Sequence, residues 1–442
     1  MGDEPSSGLG HRRSSEEPSR AIPPRTKLAL RATRAVNRLS RALGAGGGTV
    51  AGGRVGLAID PLALARLGHL YPSALVSGTN GKTTTNRLLC AALDGAGIDV
   101  VTNTTGSNMP AGHLGALAGA HAGSTAVLEV DEGYVPAAMA ALAPRVVTLL
   151  NLSRDQLDRN TEVRMVARRW RDALEGTDTL TVANADDPLV VFAAAGSDAV
   201  AWVPGGSLWR ADSVGCPECT GAIRFDHDGG WSCDCGFKRP ELHVLVEHEG
   251  SQSFATFGHG PRLEVALSLP GAFNRRNAVM AACAAEAFGV DPAASLAAMT
   301  DVESVAGRFS VATIGGVKTR LLLAKNPAGW LELLDVVARS GSPVVVAINA
   351  RVADGRDPSW LWDVPFELLA GRCVVAAGER SADLSVRLHY GDVAHDRVPD
   401  AEKAVVRASA MSVEAADAVD FVGNYTAFAD LLEKVRGRQS AP

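Results

Sequence analysis

Apolar and polar positions follow two alternating periods along most of this chain. Short apolar runs at residues 74–76, 98–102, 126–130, 145–151 and 179–184 predict strands. The stretches between them carry helical spacing, as at 86–93 and 165–174. Strands that are apolar on both faces and interleaved with helices predict an α/β fold, with a largely parallel sheet covered on both sides. The pattern resumes after residue 309, where 344–349 and 373–377 read as strands, so a second, Rossmann-like α/β domain is expected. In such folds ligands gather at the carboxyl ends of the strands.

The ends of the pattern differ. Residues 1–24 are rich in Ser, Glu, Arg, Pro and Gly and have no apolar period, which predicts a disordered tail. Residues 28–43 read as a helix with Arg31, Arg34, Arg38 and Arg41 spaced to share one face. That face is either solvated or in contact with anionic lipid or a pyrophosphate head group. The glycine-rich run 44–53 is expected to break the helix.

Composition narrows the class. A length of 442 residues exceeds one core, and 46% hydrophobic residues support a globular body. A net charge of −6 argues against a nucleic-acid binder. No apolar run has the length of a membrane span, and the N-terminus lacks a signal-peptide core, so a cytoplasmic protein is expected. Of the seven cysteines, four cluster, which in a reducing compartment favours metal over disulfide.

The strongest motif is Ser77-Gly78-Thr79-Asn80-Gly81-Lys82-Thr83-Thr84, set between the first strand and the first helix of the alternating region. A glycine turn followed by Gly-Lys-Thr at a helix start is a phosphate-binding loop. Gly78 and Gly81 let backbone N–H groups approach phosphate, Lys82 supplies charge, and the Thr83 hydroxyl suits Mg²⁺. Glu129 ends a later strand, where a carboxylate can reach the same ion. Asp131 and Glu132 rank below it. The plainer alternatives are an ordinary turn and a surface acid.

Cys216-Pro217-Glu218-Cys219 and Cys233-Asp234-Cys235 are two close pairs joined by a glycine-containing hairpin, the pattern of a structural four-cysteine zinc site in an insertion at about 212–240. Iron could also bind four thiolates. Cys90, Cys283 and Cys373 lie in apolar surroundings and read as buried thiols.

The Gly-Thr-Asn-Gly-Lys-Thr loop resembles the Mur ligase and folylpolyglutamate synthase superfamily, whose members join an amine to a carboxylate through an acyl phosphate. Asn151 to Asp158 resembles the family's Asn-x-x-x-Asp-His-x-Asp segment, with Gln156 in place of the His, and Asn184 to Pro188 resembles its Asn-x-Asp-Asp-Pro turn. Asn274 and Asn277 match the motif near the adenine, with Phe273 replacing its His. Arg308 matches the Gly-Arg-Phe turn that clamps phosphate. The resemblance implies that Gly78, Thr79, Asn80, Gly81, Lys82, Thr83, Thr84, Asn274, Asn277 and Arg308 bind ATP.

Within the superfamily, three features together resemble the MurT family, the Mur ligase-like subunits of lipid II isoglutaminyl synthase. These are the four-cysteine insertion, Leu323-Ala324-Lys325-Asn326-Pro327-Ala328-Gly329, and Ala353-Asp354-Gly355-Arg356-Asp357-Pro358. The short segment before the phosphate loop also fits a lipid-linked rather than a UDP-linked substrate.

The resemblance implies ATP-dependent amidation of the D-glutamate α-carboxylate of lipid II at the inner membrane surface. Ammonia would come from a GatD-type glutaminase. It makes Lys82 and Glu129 catalytic and gives Asp357, with Asp354 second, to the partner's Cys–His pair. It divides the chain into the tail, an ATP-binding domain at 25–308, and a C-terminal domain at 309–442. Two other readings compete: a stand-alone amino-acid ligase, and a non-catalytic scaffold for the glutaminase.

Overall fold

A computed structural model describes residues 22–42, 49–103, 107–154, 163–206, 208–226, 229–250, 252–303, 309–411 and 418–439. The tail before Ile22, the segment 155–162 and Arg308 lie outside these. The first body is built on six parallel strands: β1 (Ser73–Ser77), β2 (Val100–Thr102), β3 (Thr125–Glu129), β4 (Val146–Leu149), β5 (Leu180–Asn184) and β6 (Val200–Val203). Their order is β2-β3-β1-β4-β5-β6, so the chain crosses from one side of β1 to the other. A cleft opens at the carboxyl ends at such a crossing.

Strand pleating explains why both faces are apolar. Ala74 and Val76 of β1 point to one side, against α4 (Lys82–Gly95) and the later helices α9 and α10. Leu75 points to the other, against α5 (Pro110–Leu117), α6 (Val135–Leu142), α7 (Val163–Leu174) and α8 (Pro188–Ala194). All three β1 side chains are fully buried. Helix α9 spans Ala272–Glu286 and α10 spans Pro292–Met299.

Ahead of β1 lie α1 (Pro24–Ala42), α2 (Thr49–Ile59) and α3 (Ala63–Gly68). Helix α1 ends at Ala42, just ahead of the glycine-rich run expected to break it, but the end of that run is itself helical, because Gly52 and Gly53 lie inside α2. A Cβ on Gly52 would meet the Asn37 side chain at 2.0 Å, and one on Gly53 would meet the Ala111 carbonyl at 1.7 Å. These glycines let α2 pack closely between α1 and α5, and that packing outweighs their poor helix propensity.

Between β6 and α9 the chain forms the hairpin β7 (Arg224–Phe225) and β8 (Trp231–Ser232). An antiparallel sheet of β9 (Val244–Glu249), β10 (Gln252–Phe257) and β11 (Arg262–Glu264) follows. The second body has strands β12 (Phe309–Ile314), β13 (Val317–Leu323), β14 (Val344–Ala347), β15 (Val374–Ala377), β16 (His395–Arg397) and β17 (Val419–Gly423). Their order is β12-β13-β17-β14-β15-β16, parallel except for the β12–β13 hairpin. Helix α11 (Pro327–Ser340) covers one face with α12 (Ser381–Tyr390). Helices α13 (Ala401–Met411) and α14 (Tyr425–Gln439) cover the other. No helix among the described residues is long and apolar enough to cross a membrane.

Candidate active site at the carboxyl end of the first sheet

The phosphate loop leaves β1 at Ser77 and enters α4 at Lys82. Gly81, the cap residue, has φ of 87°, and Gly78 has φ of 144°. A Cβ on Gly78 would stand 2.9 Å from the Asn151 amide nitrogen, so the turn needs glycine there. The segment after β4 braces the loop. Asn151 accepts from the Asn80 amide at 2.8 Å and donates to the Asn80 carbonyl at 3.0 Å. The Thr79 hydroxyl donates to the Ser153 carbonyl at 3.1 Å and accepts from its amide at 2.9 Å. Lys82 is buried and its ammonium donates to the carbonyls of Gly78 and Thr79.

Two carboxylates close the floor. The Thr83 hydroxyl donates to Glu129 Oε2 at 2.8 Å, which joins the two residues expected to share Mg²⁺. The Glu129 backbone is pinned on both sides. Asn103 accepts from its amide at 2.9 Å and donates to its carbonyl at 2.8 Å, and His113 Nε2 lies 3.0 Å from that carbonyl. Burial pushes the His113 imidazole below its ordinary pKa. The second carboxylate is Glu132, which pairs with Lys82 at 3.0 Å. Burial pushes Glu132 above the usual carboxylate range, although the Lys82 charge opposes this.

The Asn184–Pro188 turn is a second brace. Asn184 donates to the Leu150 carbonyl at 2.8 Å. Asp187 caps α8 through the amides of Leu189 and Val190 and accepts the Leu152 amide at 2.8 Å. Its burial raises the acid to about 6.

Above the loop, a cavity opens between the two bodies. Asn80, Gly81, Thr84, Phe273, Asn274 and Asn277 line it from the first body, and Phe309, Gly329, Glu332 and Leu333 from the second. Asn80 donates to Asn326 across the cleft at 3.1 Å. The Oδ1 of Asn274 is buried with no hydrogen-bond partner among the described residues, an acceptor left for a ligand's N–H. Glu332 is raised to about 7 by burial against this cavity, with the Arg276 charge acting the other way. Glu332, His113 and the pairing role of Glu132 carry no sequence motif and come only from three-dimensional placement.

Two predicted elements lie elsewhere. Asp357 stands on an exposed turn of the second body, where its carboxylate accepts from the Ser359 amide at 2.9 Å and the Ser359 hydroxyl at 3.0 Å. Nearby Asp354 is buried and holds the Thr426 amide at 2.8 Å, so it ties the turn to α14. The four clustered cysteines are free thiols whose sulfurs all lie within 4.8 Å of one another. Pairs Cys216–Cys235 and Cys219–Cys233 stand 3.7 and 3.5 Å apart. Tetrahedral coordination at about 2.3 Å per bond sets sulfurs about 3.8 Å apart, so the cluster fits one ion. Trp231 packs beside them and donates its indole N–H to the Ala185 carbonyl at 3.0 Å. Cys90 and Cys283 are buried as expected, whereas Cys373 is only half-buried, because it sits just ahead of β15 at the sheet margin.

A phosphate loop at a strand crossing, an acid beside its threonine and a cleft closed by a second α/β body give the chain a Mur ligase-like architecture. The comparisons agree. Residues 76–202 match the Mur ligase middle domain, and residues 323–428 match the MurT ligase C-terminal model. The lipid II isoglutaminyl synthase (glutamine-hydrolyzing) subunit MurT of Staphylococcus aureus is 28% identical over 432 residues, covering 92% of this chain and 96% of that protein. The Streptococcus pneumoniae subunit of the same name is 28% identical over 443 residues, covering 94% and 98%. Among solved structures, a pseudomurein peptide ligase type C from Methanothermus fervidus has a TM-score of 0.63 at 20% identity over 83% of this chain and 79% of its own. The Mycobacterium tuberculosis folylpolyglutamate synthase has 0.60 at 16%, over 85% and 93%. The structural likenesses define the fold alone. The chain is similar to the Mur ligases in its first body and to the MurT subunits along nearly its whole length.

Proposed function

We propose that this chain is the ATP-using subunit of a lipid II isoglutaminyl synthase in peptidoglycan synthesis. The convergence of Lys82, Thr83 and Glu129 beneath an interbody cleft carries this reading. The α-carboxylate of D-glutamate attacks the γ-phosphorus of ATP, and ADP leaves. Ammonia then attacks the acyl carbon, phosphate leaves, and nitrogen loses a proton to give the amide. Carboxylate oxygen is a poor leaving group, and phosphorylation replaces it with a good one.

Lys82 neutralises charge on the transferring phosphoryl group, and the backbone amides of residues 78–84 cradle it. Thr83 and Glu129, hydrogen-bonded to each other, would hold Mg²⁺, which would neutralise phosphate charge when bound. Asn274 and Asn277 meet the base, and Arg308 completes the phosphate clamp. The cluster of four cysteines holds a structural zinc that pins an insertion with only a small core.

In this reading ammonia comes from a GatD-type glutaminase docked on the C-terminal body, and Asp357 orients the imidazole of the partner's Cys–His pair. Its exposure supports that role, since a residue acting in another chain must be free of its own core. The protein works in the cytoplasm, where its substrate's head group lies at the inner membrane surface.

Co-expression with such a glutaminase tests the reading. Phosphate release is expected only with lipid II, ATP and glutamine together, and Lys82→Ala is expected to abolish it. Amidation by Lys82→Ala at the parent rate would refute the phosphate role. Incorporation of a free amino acid without the partner would favour the stand-alone ligase.

A further inference from the structure

We infer that the outward face of α1 docks this protein on the surface of an anionic lipid bilayer. The inference rests on the lipid-linked substrate only for its purpose; its physical argument stands separately. Helix α1 carries Arg25, Lys27, Arg31, Arg34, Arg38 and Arg41 and no acid, in a chain of net charge −6. Its neighbour α2 adds Arg54, and no acid occurs from Ile22 until Asp60. Asp60 is buried and already bonded to Thr26 and Arg66.

Among the described residues none of the seven cations forms an ion pair, whereas arginines elsewhere repeatedly do, as with Arg239–Asp186 and Arg320–Asp420. Arg25, Arg34 and Arg41 donate to backbone carbonyls, which leaves their charge uncompensated. The fold does not use this charge.

The geometry selects a bilayer over other polyanions. Thr26, Ala29, Leu30, Thr33 and Asn37 form the inward stripe of α1. Opposite them, Leu28, Ala35, Leu39 and Ala42 share a helical face beside Arg31 and Arg38. Leu28 and Leu39 are 57% and 60% exposed. Leucines between arginines suit a helix lying in a membrane interface, with the apolar side chains among the acyl chains and the cations at the lipid phosphates. A nucleic acid would use the charges and leave the leucines idle.

Each cation near an anionic surface contributes about 1 kcal/mol, or about a fivefold change in partitioning. Reversing two removes four units of charge, so Arg31→Glu/Arg38→Glu should lower partitioning more than about 100-fold. Neither residue belongs to the nucleotide site. Flotation of the full chain, alone and with its glutaminase, would use vesicles of phosphatidylcholine with and without 30% phosphatidylglycerol.

Binding is expected only to the anionic vesicles. It should weaken steeply from 0.1 to 0.5 M salt, fall modestly in Leu28→Ser/Leu39→Ser, and be lost in the arginine pair, with melting temperatures unchanged. Absence of binding by the parent chain, equal binding by the arginine variant, loss of binding in the complex, equal binding to duplex DNA, or displacement by millimolar pyrophosphate would each overturn the proposal. Amidation of a detergent-dispersed substrate should be unaffected by the arginine substitutions. Failure of vesicle binding with amidation intact would remove only the docking surface, and the reverse outcome would remove only the enzymatic reading.

Discussion

Two aspartates three residues apart should respond oppositely to the same change. Asp354 is 5% exposed, and its carboxylate accepts the Thr426 amide at 2.8 Å, the Thr426 hydroxyl and the Arg351 amide at 3.2 Å. In Asp354→Asn one oxygen becomes an NH2 that faces donors. Hydrogen bonds to a charged group contribute about 1.5–3 kcal/mol each, so losing one or two costs about 3 kcal/mol, up to about 5. For a unit of this size that lowers the melting midpoint by roughly 10 °C. Asp357 is exposed and holds only Ser359, and asparagine keeps one acceptor there, so Asp357→Asn should cost under about 1 kcal/mol. Its loss should appear instead in the glutaminase rate of the complex, as a drop of about 10²-fold or more. Thermal melts and glutamine hydrolysis by both variants test this. A stable Asp354→Asn protein, or an Asp357→Asn protein as unstable as Asp354→Asn, would refute the division into one structural and one catalytic acid.

Other outcomes follow from the same contacts. Gly53→Val should destabilise the protein by at least about 3 kcal/mol, because its first side-chain carbon meets the Ala111 carbonyl at 1.7 Å, and reduced soluble yield with a lower melting point checks it. Cys216→Ser should abolish stoichiometric zinc, read by elemental analysis, and leave 212–240 open to proteolysis while the first sheet persists. Asp187, raised to about 6 when folded, binds its proton more tightly in the folded than in the unfolded state. Its contribution to stability therefore falls as pH rises from about 4 to 6, and Asp187→Asn should flatten the parent's melting curve in that window.

Much of this architecture is legible in the residues. Every predicted strand of the first sheet is present, with its ends within two residues of the expected ones, because buried strands are apolar on both faces and few other elements are. The phosphate loop is equally legible, since Gly78 and Gly81 are fixed by backbone geometry that only glycine meets cheaply. What escaped reading depends on residues distant in sequence. The glycines of α2 look like helix breakers until Asn37 and Ala111 are placed against them. Glu132 ranks as a spare acid until it is found on Lys82, fifty residues earlier. Glu332 is an ordinary helix glutamate until the second body folds over the first.

The central claim is that the substrate carboxylate is phosphorylated before nitrogen attacks it. Lipid II carrying ¹⁸O in its D-glutamate α-carboxylate, incubated with ATP, glutamine and both subunits, tests this by mass spectrometry of the phosphate released. One ¹⁸O per amide formed is expected in inorganic phosphate, with none from Lys82→Ala. Amide formation that leaves the phosphate unlabelled would contradict the account.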